Sequence, residues 1–365
     1  MIPTTTAYGT WSGGRFMHFG ETLDEDRFIQ CIETAYNSGI RTFVTSDVYG
    51  NGKADELLGR ALAGIDRSTY SLVGMIGHDF YQGQRQGSRG YPRFTDPELR
   101  GPEGYADFVH MATSKELERC GSDHFDLLML HNPDESGYTS EVLWQAMKSA
   151  KDQGLTRMLG IAPGPANGFS LDLVGSFERF GELIDWAMLI LNPLEPWPVG
   201  LTLPACEKHG VKVMTRVVDH GGVFHDDLTR KGHIFKPGDH RTYRPAGWVG
   251  HGIEKMEKMR PIAQKHGLTM LQFAAIWNLS QPAVASVVPT FLQETGEGMR
   301  PIEEKISELE ASAIQRSSVS VVEWLQHLLH PWTSFVIVPI FAATSNQISL
   351  VRDRRLIIMD ELLLE

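Results

Sequence analysis

Cysteine is scarce in this chain. Three occur among 365 residues, Cys31, Cys120 and Cys206, far apart and without a Cys-x-x-Cys pair. That argues against a disulfide framework or a cysteine-built metal finger and fits a reducing cytosol. Basic charge is also short, with 34 lysines and arginines against 45 acidic residues and a net charge of −11. With no basic stripe to track phosphates or an anionic bilayer, neither nucleic acid nor a membrane surface is an expected partner. Long apolar runs are missing too. The longest, 335–343, is broken by Pro339 and falls well below the roughly 20 residues that a membrane span needs. The first residues, Met1-Ile2-Pro3-Thr4, have neither the basic region nor the apolar run of a secretory signal, so a cytoplasmic location is expected.

What is present is ordinary globular material, 42% hydrophobic and 22% charged, enough to bury a sizeable core. Short apolar runs rich in β-branched residues lie at 42–47, 71–77, 125–131, 157–162, 186–192, 211–217 and 285–289, with a weaker eighth at 7–11. Stretches of helical periodicity separate several of them, at 24–37, 54–63, 105–120, 141–153 and 268–279. Strands alternating with helices are the mark of βαβ units on a parallel sheet, and this many predict an α/β chain folded as a (β/α)8 TIM barrel over 1–315. Long polar loops follow the third strand, through Glu103, and the seventh, through His251. Both leave the carboxyl ends of strands, where barrels of this kind build their sites. The second contains Phe235-Lys236-Pro237-Gly238-Asp239-His240-Arg241, suited to folding over a substrate. From about residue 316 the alternation stops, leaving a divergent apolar tail, 316–365.

The segment Thr45-Ser46-Asp47-Val48-Tyr49-Gly50, running on into Glu56-Leu57-Leu58-Gly59, is a strand ending in Asp-x-Tyr-Gly ahead of a helix. It resembles the aldo-keto reductase superfamily. Phe125-Asp126-Leu127-Leu128-Met129-Leu130-His131 is similar to that family's strand ending in a catalytic His, and Phe273-Ala274-Ala275-Ile276-Trp277 before Ser286-Val287-Val288-Pro289 to its last helix and strand. The resemblance covers roughly 5–310. It implies reduction of a small polar carbonyl or oxidation of a sugar or polyol with NADP or NAD. Asp47, Tyr49 and His131 then take three catalytic roles: Tyr49 as proton donor, His131 as orienting group and Asp47 as electrostatic partner. Part of the tail, 322–342, is similar to a fragment of a bacterial sodium–proton antiporter, too short to transport anything.

The family's fourth catalytic residue, a Lys ending the next strand, is matched here by Met75. A thioether carries no charge to tune the phenol, a loss on the order of 3 to 5 kcal/mol in the barrier. Residues expected near the barrel mouth include His78, Asp79 and His220, where a histidine can stand in for the lysine or act as a general base. For the cofactor, Asn192 is placed to bond an amide, Arg300 is the nearest candidate for a phosphate, and Arg216 is a further cofactor contact. A metal site is not expected. Two other readings remain open on the same fold: a non-redox acid–base enzyme (lyase, dehydratase or epimerase) and a non-catalytic ligand-binding barrel.

Overall fold

The computed structural model describes residues 1–309 apart from 88–89, 165, 229–232 and 297; the tail 316–365 and the boundary expected near 315 lie outside the described residues. Eight parallel strands follow one another around a barrel: β1 (Tyr8–Gly9), β2 (Thr42–Val44), β3 (Ser71–Ile76), β4 (Leu127–His131), β5 (Leu159–Ala162), β6 (Trp186–Ile190), β7 (Lys212–Arg216) and β8 (Val284–Val288). Thr6 bridges to Val287 and so closes the ring, with Ala7 N donating to Val287 O and Val287 N to Thr5 O, both at 2.9 Å. The expected fold class is therefore the observed one, and each of the eight expected strands is present.

The strands are apolar on both sides because both sides are covered, the inside by other strands and the outside by helices. Every residue of β3 and β4 is buried. Inside, Met75, Met129, Met188 and Met214 pack with Tyr49, Val44 and Trp186, so the barrel beneath the mouth is filled by flexible thioethers. Gly74 is needed on the outer side of β3: a Cβ there would lie 2.6 Å from the Phe125 ring.

Helix boundaries follow from capping. α1 (Glu25–Asn37) starts where the Asp24 side chain accepts from Arg27 N, and α3 (Tyr105–Cys120) stops at Gly121, whose φ of 63° suits glycine. α2 is Lys53–Ala61, α4 Glu135–Thr139, α5 Glu141–Asp152, α6 Asp172–Phe180 and α7 Val199–Lys208. α8 is Trp248–Lys265, α9 Met270–Leu279 and α10 Ile302–Glu308. The sequence pattern misses α4, α6, α7, α8 and α10. Pro204 inside α7 and Pro261 inside α8 mask the helical period, and the second long loop, expected to run through His251, ends at Gly247, with α8 beginning at Trp248. No helix among the described residues is long and apolar enough to cross a membrane.

Candidate active site

The polar residues of interest sit at the carboxyl ends of the strands. Asp47 and Tyr49 follow β2, His131 ends β4 and Arg216 ends β7. Backbone strain marks two of these ends: Asn132, after His131, has φ 46°, and Val217, after Arg216, has φ 57°. A β-branched residue in the left-handed region costs on the order of 1–3 kcal/mol and persists where its surroundings hold it.

Tyr49 and His131 come together, their rings edge to face with centroids 5.7 Å apart. Trp11, from the loop after β1, also packs against Tyr49, ring centroids 4.8 Å apart. Tyr49 keeps 9% of its surface and His131 7%. Neither the Tyr49 hydroxyl nor His131 Nε2 bonds to any described residue, and neither is among the sealed-off polar atoms left without a partner. Burial pushes the Tyr49 hydroxyl above its ordinary range against the opposing charge of Arg216, so the phenol keeps its proton at neutral pH. Burial, His78, Arg216 and Arg93 all hold His131 well below its ordinary range, so its ring is neutral.

The tautomer follows from counting protons. Ser46 Oγ donates its one hydrogen to Met75 O at 2.8 Å, so in its 2.8 Å contact with His131 Nδ1 it accepts. The His131 proton therefore sits on Nδ1 and Nε2 presents a bare lone pair. The mouth thus offers a hydrogen-bond donor, the Tyr49 hydroxyl, beside an acceptor, His131 Nε2.

Beneath this pair lies the place of the missing cation. Asp47 is fully buried, with Oδ1 unpartnered and Oδ2 accepting from the Tyr81 hydroxyl at 3.4 Å. Glu116, from α3, accepts from Met75 N at 3.2 Å through Oε1, while its Oε2 is also unpartnered. Burial, then neighbouring carboxyls, push both acids above the usual carboxylate range. The nearby cation, Arg119, is spent on Asp55 at 3.0 Å and reaches the Tyr81 hydroxyl at 3.3 Å. Two orphaned acceptors thus accompany an apolar Met75.

The other expected residues are placed as follows. His78 lies beside His131, ring centroids 5.4 Å apart; burial and Arg93 depress it to about 4, so it carries no charge in place of the lysine. Asp79 is structural, accepting from Tyr81 N and Gln82 N and pairing with Arg100. His220 pairs with Glu195 at 3.2 Å and packs edge to face on Trp248. Asn192 is buried and its amide is spent: Nδ2 donates to Glu195 and to Val217 O beyond β7, and Oδ1 accepts from Leu194 N and Glu195 N within its own turn. Arg300 donates to His225 O and pairs with Glu308. The Phe235–Arg241 segment is docked rather than solvated, since Gly20 N donates to Asp239, His240 N to His18 O, and Arg241 is buried between Asp239 and Glu294. Glu116, Arg119, Tyr81, Ser46 and Arg93 were not singled out from sequence. Glu116 had a signal: it continues the apolar face of Val109, Ala112 and Thr113 at helical spacing.

A parallel barrel with a phenol and an imidazole converging at its carboxyl face defines an oxidoreductase of the aldo-keto-reductase type. The model of the Aldo/keto reductase family matches residues 7–295, and the chain belongs to that family. Among its relatives is a probable voltage-gated potassium channel subunit beta of Arabidopsis thaliana, 25% identical over 80% of this chain and 84% of that protein. The versiconal hemiacetal acetate reductase of Aspergillus parasiticus is 25% identical over 74% of this chain and 80% of its own length. The solved glycerol dehydrogenase of Gluconobacter oxydans superposes with a TM-score of 0.64 at 20% identity, covering 87% of this chain and 90% of that one. An aldo/keto reductase of Klebsiella pneumoniae, solved with NADP and acetate, does so at 0.58 and 17%, covering 89% and 91%. The chain is an aldo-keto-reductase-like oxidoreductase.

The fit to a nicotinamide cofactor is split. At the reacting end the Tyr49 hydroxyl and His131 Nε2 are free. Around the loops that follow β7 and β8, Arg241, Arg300 and Lys305 are paired with Glu294, Glu308 and Asp227, so these cations are not free for a phosphate. Among the described residues no group of three or more His, Cys, Asp or Glu side chains is set to hold a metal.

Proposed function

We propose that this protein reduces a small polar carbonyl compound bearing a neighbouring hydroxyl, such as a sugar or its fragment, and oxidises the corresponding polyol. The observation that carries this reading is the pairing of an unspent donor at Tyr49 with an unspent acceptor at His131. A nicotinamide cofactor, NADP or NAD, supplies the hydride when bound; two solved neighbours, those of Klebsiella pneumoniae, carry NADP or NADPH. The Tyr49 hydroxyl donates its proton to the carbonyl oxygen as negative charge builds there. His131 Nε2 accepts from the adjacent hydroxyl and fixes how the carbonyl lies against the phenol, while Ser46 holds the ring. Asp47 stands behind Tyr49 as its electrostatic neighbour. Because the phenol stays protonated, reduction is favoured near neutral pH and oxidation needs alkali.

The test is turnover of glyceraldehyde with NADPH and NADH, beside fluorescence titration of each nucleotide. Tyr49→Phe should lower kcat/KM by about 10² to 10⁴ with nucleotide affinity unchanged. If neither nucleotide binds at millimolar concentration, the redox reading falls. A non-redox acid–base reaction on the same Tyr49–His131 pair then takes its place, and the paired phosphate-side cations are what favour it. A cytoplasmic location belongs to this proposal and is supported by the three buried cysteines, all unpaired.

A further inference from the structure

Arg216 stands out among the charges at the mouth. Its Nη2 donates to Pro163 O at 3.1 Å, and the side chain forms no other hydrogen bond and no ion pair among the described residues. A guanidinium carries five N–H donors, so four are left unspent on a half-buried group. Burial lowers its pKa, and Tyr49 is the charge-bearing neighbour that acts against this; no carboxylate does so. The fold nevertheless takes care to hold it there. The next residue is the strained Val217, pinned through its carbonyl by Asn192 at 3.1 Å. Gly164 leaves it room, for a Cβ at that position would lie 2.8 Å from Arg216 Nη2 and 2.2 Å from Asn132 Oδ1.

A second guanidinium borders the same imidazole. Arg93 donates through Nε to Asn132 O, and its Nη1 lies 2.9 Å from His78 Nδ1 and 3.4 Å from Tyr91 O; Nη2 is left unspent, and the group forms no ion pair among the described residues. Its acidic neighbour, Asp134, is occupied by Thr95 Oγ1 and Gly137 N. Of the buried carboxyls near the phenol, Asp47 and Glu116 are held toward their neutral forms and Asp55 is paired with Arg119. In a chain of net charge −11 the reacting end thus holds two guanidiniums that form no ion pair among the described residues. A partly buried, unpaired cation is costly unless something neutralises it.

We propose that Arg216, with Arg93 as a second positive charge beside His131, anchors an oxyanion, a carboxylate or a phosphate, carried by the carbonyl compound that reaches Tyr49. The substrate class narrows to small acidic hydroxy-carbonyl compounds, of which sugar acids and sugar phosphates are the two sources. The planar fork of Arg216 suits either group through paired N–H donors. Assigning the anion to the reacting molecule rests on the reductase reading above; the existence of the anion site does not.

Two measurements separate these. The first is calorimetric titration of the nucleotide-free protein with succinate and with inorganic phosphate, neither of which can react. At least one should bind in the millimolar range or tighter, the tighter naming the source. Arg216→Gln should weaken it about tenfold or more, Arg216→Lys less, and Gly164→Ala, which crowds the guanidinium without removing it, should weaken it too. The second is kcat/KM with NADPH for succinic semialdehyde against its methyl ester. The acid should be preferred about tenfold or more, and Arg216→Gln should erase the preference. No binding of either anion at tens of millimolar, or undiminished binding by a folded Arg216→Gln variant, overturns the proposal, as does equal use of the ester. Anion binding that depends on Arg216 without turnover of either compound sustains the site and removes the reductase reading instead.

Discussion

The side-chain amide of Asn192 donates to the carbonyl of Val217 across 3.1 Å, and Val217 is the strained residue immediately after Arg216. Asn192 is therefore a positioning residue: it ties the turn after β6 to the end of β7 and aims a guanidinium into the mouth. Replacing it with Ala removes the fully buried amide that accepts from Leu194 N, leaves Glu195 N only its bond to the backbone carbonyl of residue 192, and frees Val217 to relax. Loss of buried partners of this kind costs about 1–3 kcal/mol. Asn192→Ala should lower unfolding free energy in urea by about that much and weaken succinate binding in parallel. A stable variant with unchanged anion affinity would sever the link drawn here.

Met75→Lys tests the vacancy below Tyr49. The new ammonium would meet two acceptors that now lack partners, Asp47 Oδ1 and Glu116 Oε2. Both carboxyls, now pushed toward neutrality, would ionise to pair with it, and the phenol would gain a cation to draw its pKa down. Carbonyl reduction should speed up by about tenfold or more, and polyol oxidation should extend to lower pH. A folded Met75→Lys protein with unaltered kcat and pH profile would show that Tyr49 is not the proton donor.

Much of this architecture was legible in advance, for physical reasons that also explain what was not. Strands buried on both faces must be apolar throughout, so β2 to β8 announce themselves, and Asp47, Tyr49 and His131 sit at their ends in recognisable motifs. The two-residue β1 is held by its bridge partners more than by its own pattern. Asn192 and Arg300 read as free polar groups, because sequence shows that a residue is polar and not that its hydrogen bonds are already spent. The same blindness hid Ser46, whose one proton decides the His131 tautomer, and Arg119, whose charge goes to Asp55 through tertiary contact alone.

His78 gives the fold a pH dependence of definite sign. Burial and Arg93 lower its pKa from 6.5 to about 4, so between those values the unfolded chain binds a proton that the folded one does not. Stability from this group is intact above 6.5 and is lost as pH falls toward 4. Asp47 and Glu116, raised by burial, act in the opposite sense, so the comparison must be between the wild type and His78→Asn, where their effects cancel. Relative to the variant, the wild type should lose about 2 kcal/mol between pH 7.5 and pH 5 in urea denaturation, at 1.4 kcal/mol per unit of separation. Parallel losses in the two proteins would mean that His78 is charged in the native state.

The split fit to a dinucleotide leads to a last expectation, centred on Glu294. Although burial raises its pKa, His233 and Arg241 hold it down at about 2, so it is ionised at any working pH. Its Oε2 accepts from Arg241 Nη2 at 3.0 Å, and Asp239 supplies the other half of the clamp. A phosphate arriving beside Arg241 must compete with a carboxylate already in place and be repelled by it. Glu294→Gln removes that charge and keeps the shape, leaving Arg241 with the Asp239 carboxylate and the Gly221 carbonyl. NADPH affinity by fluorescence titration should then rise roughly tenfold, with NADH gaining less if the extra phosphate lies nearest Arg241. Equal or weaker affinity in the folded variant would place the nucleotide phosphates away from Arg241, and the internal pairing of that arginine would then be a structural clamp on the loop after β7.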